Sequence, residues 1–274
     1  PVTELEMQPF EQQIRCRGAE NAELRSYVMA RLLWDTTANV AQDIQDFHLA
    51  YYGKAAAPML QYLELMQQQV RPGPNGRGQH MWIFDQPHSH YLSREFLDQA
   101  RVLFSRSLAA AENDTIRKRI RKAQLAIDYT DLMWSKQFVI QEGTYGPRNL
   151  DGLKDRWNAF VSDAKSFGIT GLREGSSIEE DDKLFQSRMH TYSIAQLENT
   201  AIRVTIVPEL EGRVVEILDK RTGRNRLFTP DSGSRNYPNA SGLWPAVYSD
   251  YVDKSSWAAS WTLDPGTTSQ QLAL

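Results

Sequence analysis

Between Asn21 and Trp34 the apolar positions Ala22, Leu24, Tyr27, Val28, Ala30, Leu32 and Leu33 recur at helical spacing, with Glu23, Arg25 and Arg31 between them. That pattern predicts an amphipathic helix. Asp35 to Thr37 supplies a break with cap-forming residues, after which Val40, Ile44, Phe47 and Leu49 mark a second helix ending at Gly53. A third is expected from about Ala56 to Val70. Arg71 to Gly78 carries two prolines and three glycines, which sustain neither a helix nor a ladder, so it reads as a loop. Beyond it, Ser93 can cap a helix carrying Phe96, Leu97, Ala100, Leu103, Phe104 and Leu108. Asp114 can cap the next, through Ile116, Ile120, Ala123, Ile127 and Met133. Another helix is expected from Leu150 to about Phe167. The helical phases differ and no fixed internal period recurs, which argues against a repeat array.

Strand patterns occupy the two ends. Val2 to Met7 alternates side to side, as a short strand does. After the acidic stretch Glu179 to Asp182 the chain turns β-rich. Ala201 to Val207 and Arg213 to Leu218 are dense in β-branched residues, and Asp219 to Gly223 forms the turn before Arg226 to Phe228. The expected fold class is therefore a mainly α helical bundle domain followed by a partial β-sandwich domain. The divisions are residues 1–20, 21–189 and 190–274. Trp34, Tyr51 and Tyr52 each end an apolar helical stripe beside a break and are expected to be packing residues.

Composition narrows the function classes. The 274 residues comprise 31 basic and 34 acidic side chains, a formal charge of -3, so no field draws the chain to nucleic acid or to anionic membrane. No apolar run approaches the about 20 residues that span a bilayer, so no membrane insertion is expected. Cys16 is the sole cysteine, which rules out an intrachain disulfide. Pro1 is not a natural initiator and the chain stops amid a strand pattern, so both ends read as cut from something longer.

Candidate chemistry is sparse. His80, His88 and His90 stand near Asp85, and a His-x-His pair can ligate a metal. Without a second ligand cluster they read as polar loop residues, and neither metal nor cofactor is expected. The basic run Arg117 to Lys122 is interrupted by Ile116 and Ile120 and reads as a solvated helix face. Phosphate-cradling, dinucleotide-binding, zinc-protease and nucleophile-elbow signatures do not occur. Asn113-Asp-Thr115 and Asn239-Ala-Ser241 fit the glycosylation sequon but read as accidental. Trp244, Tyr248, Tyr251, Trp257 and Trp261 concentrate rings after Tyr237, and these either fill a β-domain core or stack on sugar faces. Glu4, Glu6, Gln8 and Glu11 offer groups of the kind that glycosidases use in pairs, though one strand cannot fix such a pair.

The run from Ala22 to Asp35, with its Leu32-Leu-Trp-Asp35, then Tyr51 to Ala56 and Pro58 to Leu65, resembles the bacterial family called domain of unknown function 4838. That family is similar to α-glucuronidase-type glycoside hydrolases, and the resemblance spans roughly residues 1 to 185. It implies a barrel placed before the helices and a β-sandwich after them, with Val2 to Met7 as the last barrel strand. Active sites of such barrels lie at the C-terminal strand ends, which places Gln8, Glu11 and Arg17 near a sugar site. Val204 to Val215 is similar to the opening of mutarotase-like β-supersandwich domains. The expected function is a C-terminal, non-catalytic portion of a glycoside hydrolase-like protein that supports the barrel active site. The alternative is a non-catalytic helical interaction module with a carbohydrate-binding β-domain. The expected partner is carbohydrate, a glycan or uronide-containing saccharide, met by Gln8, Glu11, Arg17, Trp244 and Tyr248. Through the resemblance, a periplasmic or extracellular location is favoured.

Overall fold

The computed structural model describes residues 20–71, 90–172, 176–210 and 212–227. The strand expected at Val2 to Met7, the loop after Arg71, and His80, Asp85 and His88 lie outside the described residues. Only the backbone of His90 falls within them. The chain is mainly helical and then passes into two small antiparallel sheets, the fold class that the periodicity implies.

The helices are α1 (Ala22–Trp34), α2 (Val40–Tyr52), α3 (Ala56–Val70), α4 (Arg94–Ala110), α5 (Asp114–Ser135), α6 (Leu150–Ser166) and α7 (Ile178–Arg188). Side-chain caps fix most of their starts. The Asn39 side chain accepts from the Gln42 amide at 3.2 Å, and Ser93 accepts from the Phe96 amide at 3.2 Å. At α5 the cap is Asn113, which accepts from the Ile116 amide at 2.9 Å; Asp114 is the first helical residue and not the cap expected from sequence. Asp35 instead ties its own turn, accepting from the Thr37 amide at 2.9 Å. Gly53 closes α2 at φ 54, a left-handed backbone that glycine adopts without a Cβ clash.

The acidic stretch at 179–182 is the first turn of α7, where carboxylates meet the positive end of the helix. Ser177 and Glu180 form a reciprocal box: the Ser177 hydroxyl accepts from the Glu180 amide at 3.2 Å, and Glu180 accepts from the Ser177 amide at 2.8 Å. This helix was not legible as one, because its four carboxylates mask a short apolar stripe.

Two compact units result. The first takes in the described residues up to Leu132 together with Arg156–Leu184. Its helices pack in sequence, α1 on α2, α2 on α3 and α3 on α4. Tyr62, Leu97, Phe104, Ile120 and Trp157 are fully buried there, with the Tyr62 and Phe104 rings 4.7 Å apart. The Trp157 indole donates to Asp182 at 2.8 Å, so its polar edge is satisfied inside the core.

The second unit takes in Met133–Asp155 and the described residues from Phe185. Strands β1 (Phe138–Gln141) and β2 (Thr144–Pro147) form a hairpin through Glu142 and Gly143, both at positive φ as a tight two-residue turn requires. β2 then pairs with β3 (Tyr192–Ser193). A second sheet runs in sequence order through β4 (Ala195–Glu198), β5 (Ile202–Val207), β6 (Arg213–Asp219) and β7 (Arg224–Asn225). Phe138, Tyr145 and Tyr192 cluster beneath the first sheet, and Val207 and Val215 are buried in the second.

One packing expectation fails. Tyr52 is buried and Tyr51 half-buried, but Trp34 is 90% exposed and Leu33 74% exposed. Leu24 is the one residue of α1 that is buried. Trp34 is the last residue of α1, at an end where neither it nor Leu33 is covered. Trp34→Ala should therefore change stability by less than about 0.5 kcal/mol, whereas Trp157→Ala should cost about 3 to 5 kcal/mol. Denaturant unfolding of the two variants checks the contrast.

Candidate functional site

The residues expected to meet sugar, Gln8, Glu11, Arg17, Trp244 and Tyr248, lie outside the described residues. Among the described residues, ionisable groups gather at three places besides the turn where Asp219 meets Arg221 and Arg226.

The first is the inner side of α1. Glu20 precedes the helix, and the Tyr62 hydroxyl of α3 donates to its carboxylate in a short hydrogen bond. Burial pushes the Glu20 carboxyl up to about 7, against the opposing pull of that hydrogen bond. Burial pushes both Tyr52 and Tyr62 phenols up, and the nearby Glu20 charge adds to each. His48 turns Nδ1 to the Ile44 carbonyl at 2.7 Å, and burial holds its pKa down, which favours the neutral ring. Glu23 is met by Lys122 of α5 at 2.5 Å. Arg119 donates to the Tyr51 carbonyl at 2.7 Å and stands 4.0 Å over the Tyr51 ring. Tyr27, Phe47 and Tyr51 continue the ring stack. Asp43 of α2 accepts from Arg31 Nε of α1 at 3.1 Å, but its other oxygen is buried with no partner.

These contacts correct the reading of the basic run. Arg119 and Lys122 turn inward to Tyr51 and Glu23, and Arg121 reaches Asp163 at 3.4 Å. Arg117 and Lys118 keep to the solvent side. Chemically the assembly holds one carboxyl poised near neutrality beside a phenol donor, a pair able to hold or pass a proton, while the His48 imidazole packs 5.6 Å from the Tyr52 ring. Sequence reading missed Glu20 and Tyr62 because they are 42 positions apart, and no local pattern couples them.

The second place is Asp131 of α5, nearly buried, on which three guanidiniums converge. Arg101 reaches it at 2.6 Å and Arg94 at 3.3 Å from α4, while Arg156 closes on the second oxygen from α6. The planar fork of arginine suits such multiple donation.

The third lies in the second unit. Burial, with Arg188 nearby, pulls the Lys136 amine down to about 8. Burial and Glu209 push the Tyr192 phenol up to about 12, partly offset by Arg188 and Arg213. Arg213 is itself 1% exposed. On the second sheet Gln196 donates to Thr205 at 3.0 Å, Thr205 to Glu216 at 3.0 Å, and Arg203 to Glu216 at 3.0 Å. This polar ladder rests on cross-strand neighbours.

No group of three His, Cys, Asp or Glu able to hold a metal occurs among the described residues. No helix among them is long and apolar enough to cross a membrane.

Against known families, the profile of a domain of unknown function, DUF4838, matches residues 2–64. That of a second domain of unknown function, DUF5107, matches residues 179–236. The first supports the resemblance drawn from α1 to α3, over a shorter span than residues 1 to 185. The second covers most of α7 and the strands through β7. No curated protein and no solved structure matches the chain.

The Asp131 cluster generates a prediction. Asp131→Asn leaves three guanidiniums without their shared charge. Half-exposed arginines recover water, so the loss should fall below that of a fully buried pair, at about 2 kcal/mol. Urea unfolding at pH 7 measures it, and Asp98→Asn, at an exposed carboxylate that also meets Arg101, should cost under about 1 kcal/mol.

Proposed function

We propose that the chain is the C-terminal, non-catalytic portion of a carbohydrate-active, glycoside hydrolase-like protein, in which the helices buttress a barrel active site. The observation that carries this reading is the outward side of α1. Leu24, Tyr27, Val28 and Leu32 face inward to varying depth, while Met29 and Leu33 stand exposed on the other side; Trp34 at the helix end and Leu49 of α2 are exposed as well. A helix apolar on both sides is suited to lie between two partners. The family match over residues 2–64 supports the same reading, because it joins α1, α2 and the start of α3 to the segment before them.

On this reading the substrate is a glycan or a uronide-containing saccharide. The residues proposed to meet it are Gln8, Glu11, Arg17, Trp244 and Tyr248, in a periplasmic or extracellular protein. Most glycoside hydrolases use two carboxyl groups held across the scissile bond, about 5 to 5.5 Å apart for retention or 6.5 to 9.5 Å for inversion. The proposed role of this chain is to support such a pair and not to provide it.

Two measurements test the proposal. The chain should show no turnover of a panel of aryl glycosides and aryl uronides. Reproducible turnover that Glu11→Gln abolishes would make it an enzyme in its own right. Leu33→Asp with Trp34→Ala should leave thermal unfolding unchanged and weaken association with a barrel domain supplied in trans by at least about tenfold. Undiminished association would leave the alternative, a helical interaction module with a carbohydrate-binding β-domain.

A further inference from the structure

The inner attachment of α1 is weak in four independent respects. Leu24 is its one buried residue. Its first residue follows Asn21, which sits at φ 57 and gives no side-chain cap, so the starting amides lack the usual acceptor. Its tie to α2, Arg31 on Asp43, leaves a buried carboxylate oxygen with no partner. Its tie to α3 places the Glu20 carboxylate against the Tyr62 hydroxyl, at a residue that is 2% exposed. Few buried contacts and incompletely satisfied polar groups are the marks of an element that opens locally before the fold does.

We propose that α1 is a detachable helix whose docking on α2 and α3 is governed by the proton on Glu20. Docked, a neutral carboxyl shares the site with Tyr62 at low cost, while a carboxylate there lacks the solvation that water gives it. The groups facing it are Tyr62 from α3, Tyr52 from α2 and Glu23 from α1 itself. Lys122 from α5 is engaged by Glu23, and Arg119 from α5 lies beside Tyr51. None of these supplies Glu20 with a cation.

The direction follows from linkage. The docked carboxyl holds its proton to about pH 7, whereas a released one gives it up near 4.5. Docking is therefore strongest below pH 4.5, weakens as pH rises to about 7, and is constant above. Release would bare the inner side of α1, adding Leu24 and Tyr27 to the apolar side chains already exposed at Met29, Leu33 and Trp34. The inference concerns the inner face alone and does not depend on what covers the outer one.

Hydrogen exchange read by mass spectrometry on the whole chain, corrected for intrinsic exchange rates, tests it at pH 5.5 and 7.5. Protection of residues 22–34 should fall about twentyfold between the two, while that of Arg94–Ala110 in α4 stays constant. In Glu20→Gln, which keeps an acceptor for Tyr62 and does not titrate, α1 protection should be equal at both pH values. Tyr62→Phe removes the one hydrogen bond that favours the carboxylate and should enlarge the fall. Unchanged protection of α1 in the wild-type chain overturns the proposal, as does the same fall in Glu20→Gln with α4 still protected. If Glu20→Gln loses protection in α4 as well, the Tyr62→Phe comparison decides: a fall no larger than wild type counts against the proposal.

Discussion

A single nearly buried carboxylate sets the frame of the first unit. Asp131 would be costly inside the fold without cations, and the three that satisfy it come from two other helices, α4 and α6. That requirement holds α4, α5 and α6 within guanidinium reach of one point, so their faces meet in one register. The burial of Leu97, Phe104, Ile120 and Trp157 then follows, since those residues project from the same three helices. Apolar packing provides the bulk of the driving force, and the charge cluster adds a directional constraint to it.

Legibility in the sequence tracked the range of the interaction. Helices α1 to α6 were readable because a 3.6-residue apolar period is local, and Gly53 and Ser93 announce their ends in the same local terms. β5, β6 and the turn at Asp219 to Gly223 were readable from β-branched density. The hairpin of β1 and β2 was not, because Thr144 to Pro147 is short and holds a glycine and a proline. Its strand character comes from pairing with β1 along its whole length and with β3, far along the chain, at Thr144 and Tyr145.

The ionisable clusters show the same limit more sharply. A run of cations such as Arg117 to Lys122 looks solvated when viewed alone, and only the folded chain reveals Glu23, Tyr51 and Asp163 waiting for three of its members. Trp34 errs in the other direction: its place on an apolar stripe is real, but the stripe continues beyond the part of the helix that α2 covers. Residue type and spacing reported chemical character correctly in both cases. What they could not report is which neighbour arrives from elsewhere.

The insertion of the β1–β2 hairpin between α5 and α6 has a consequence for how the chain assembles. The hairpin can close as soon as it is synthesised, because its strands are joined by two residues. Its third strand does not exist until residues 148–191, with α6 and α7 among them, have been made. During that interval β2 presents an unpaired edge, the kind of surface that recruits strands from other chains. Gly146 and Pro147 occupy the far end of that edge, and a strand interrupted by a residue lacking an amide hydrogen is a poor template for a stranger. The same short, irregular strand that hid the hairpin from sequence reading thus guards the nascent sheet until Tyr192 arrives.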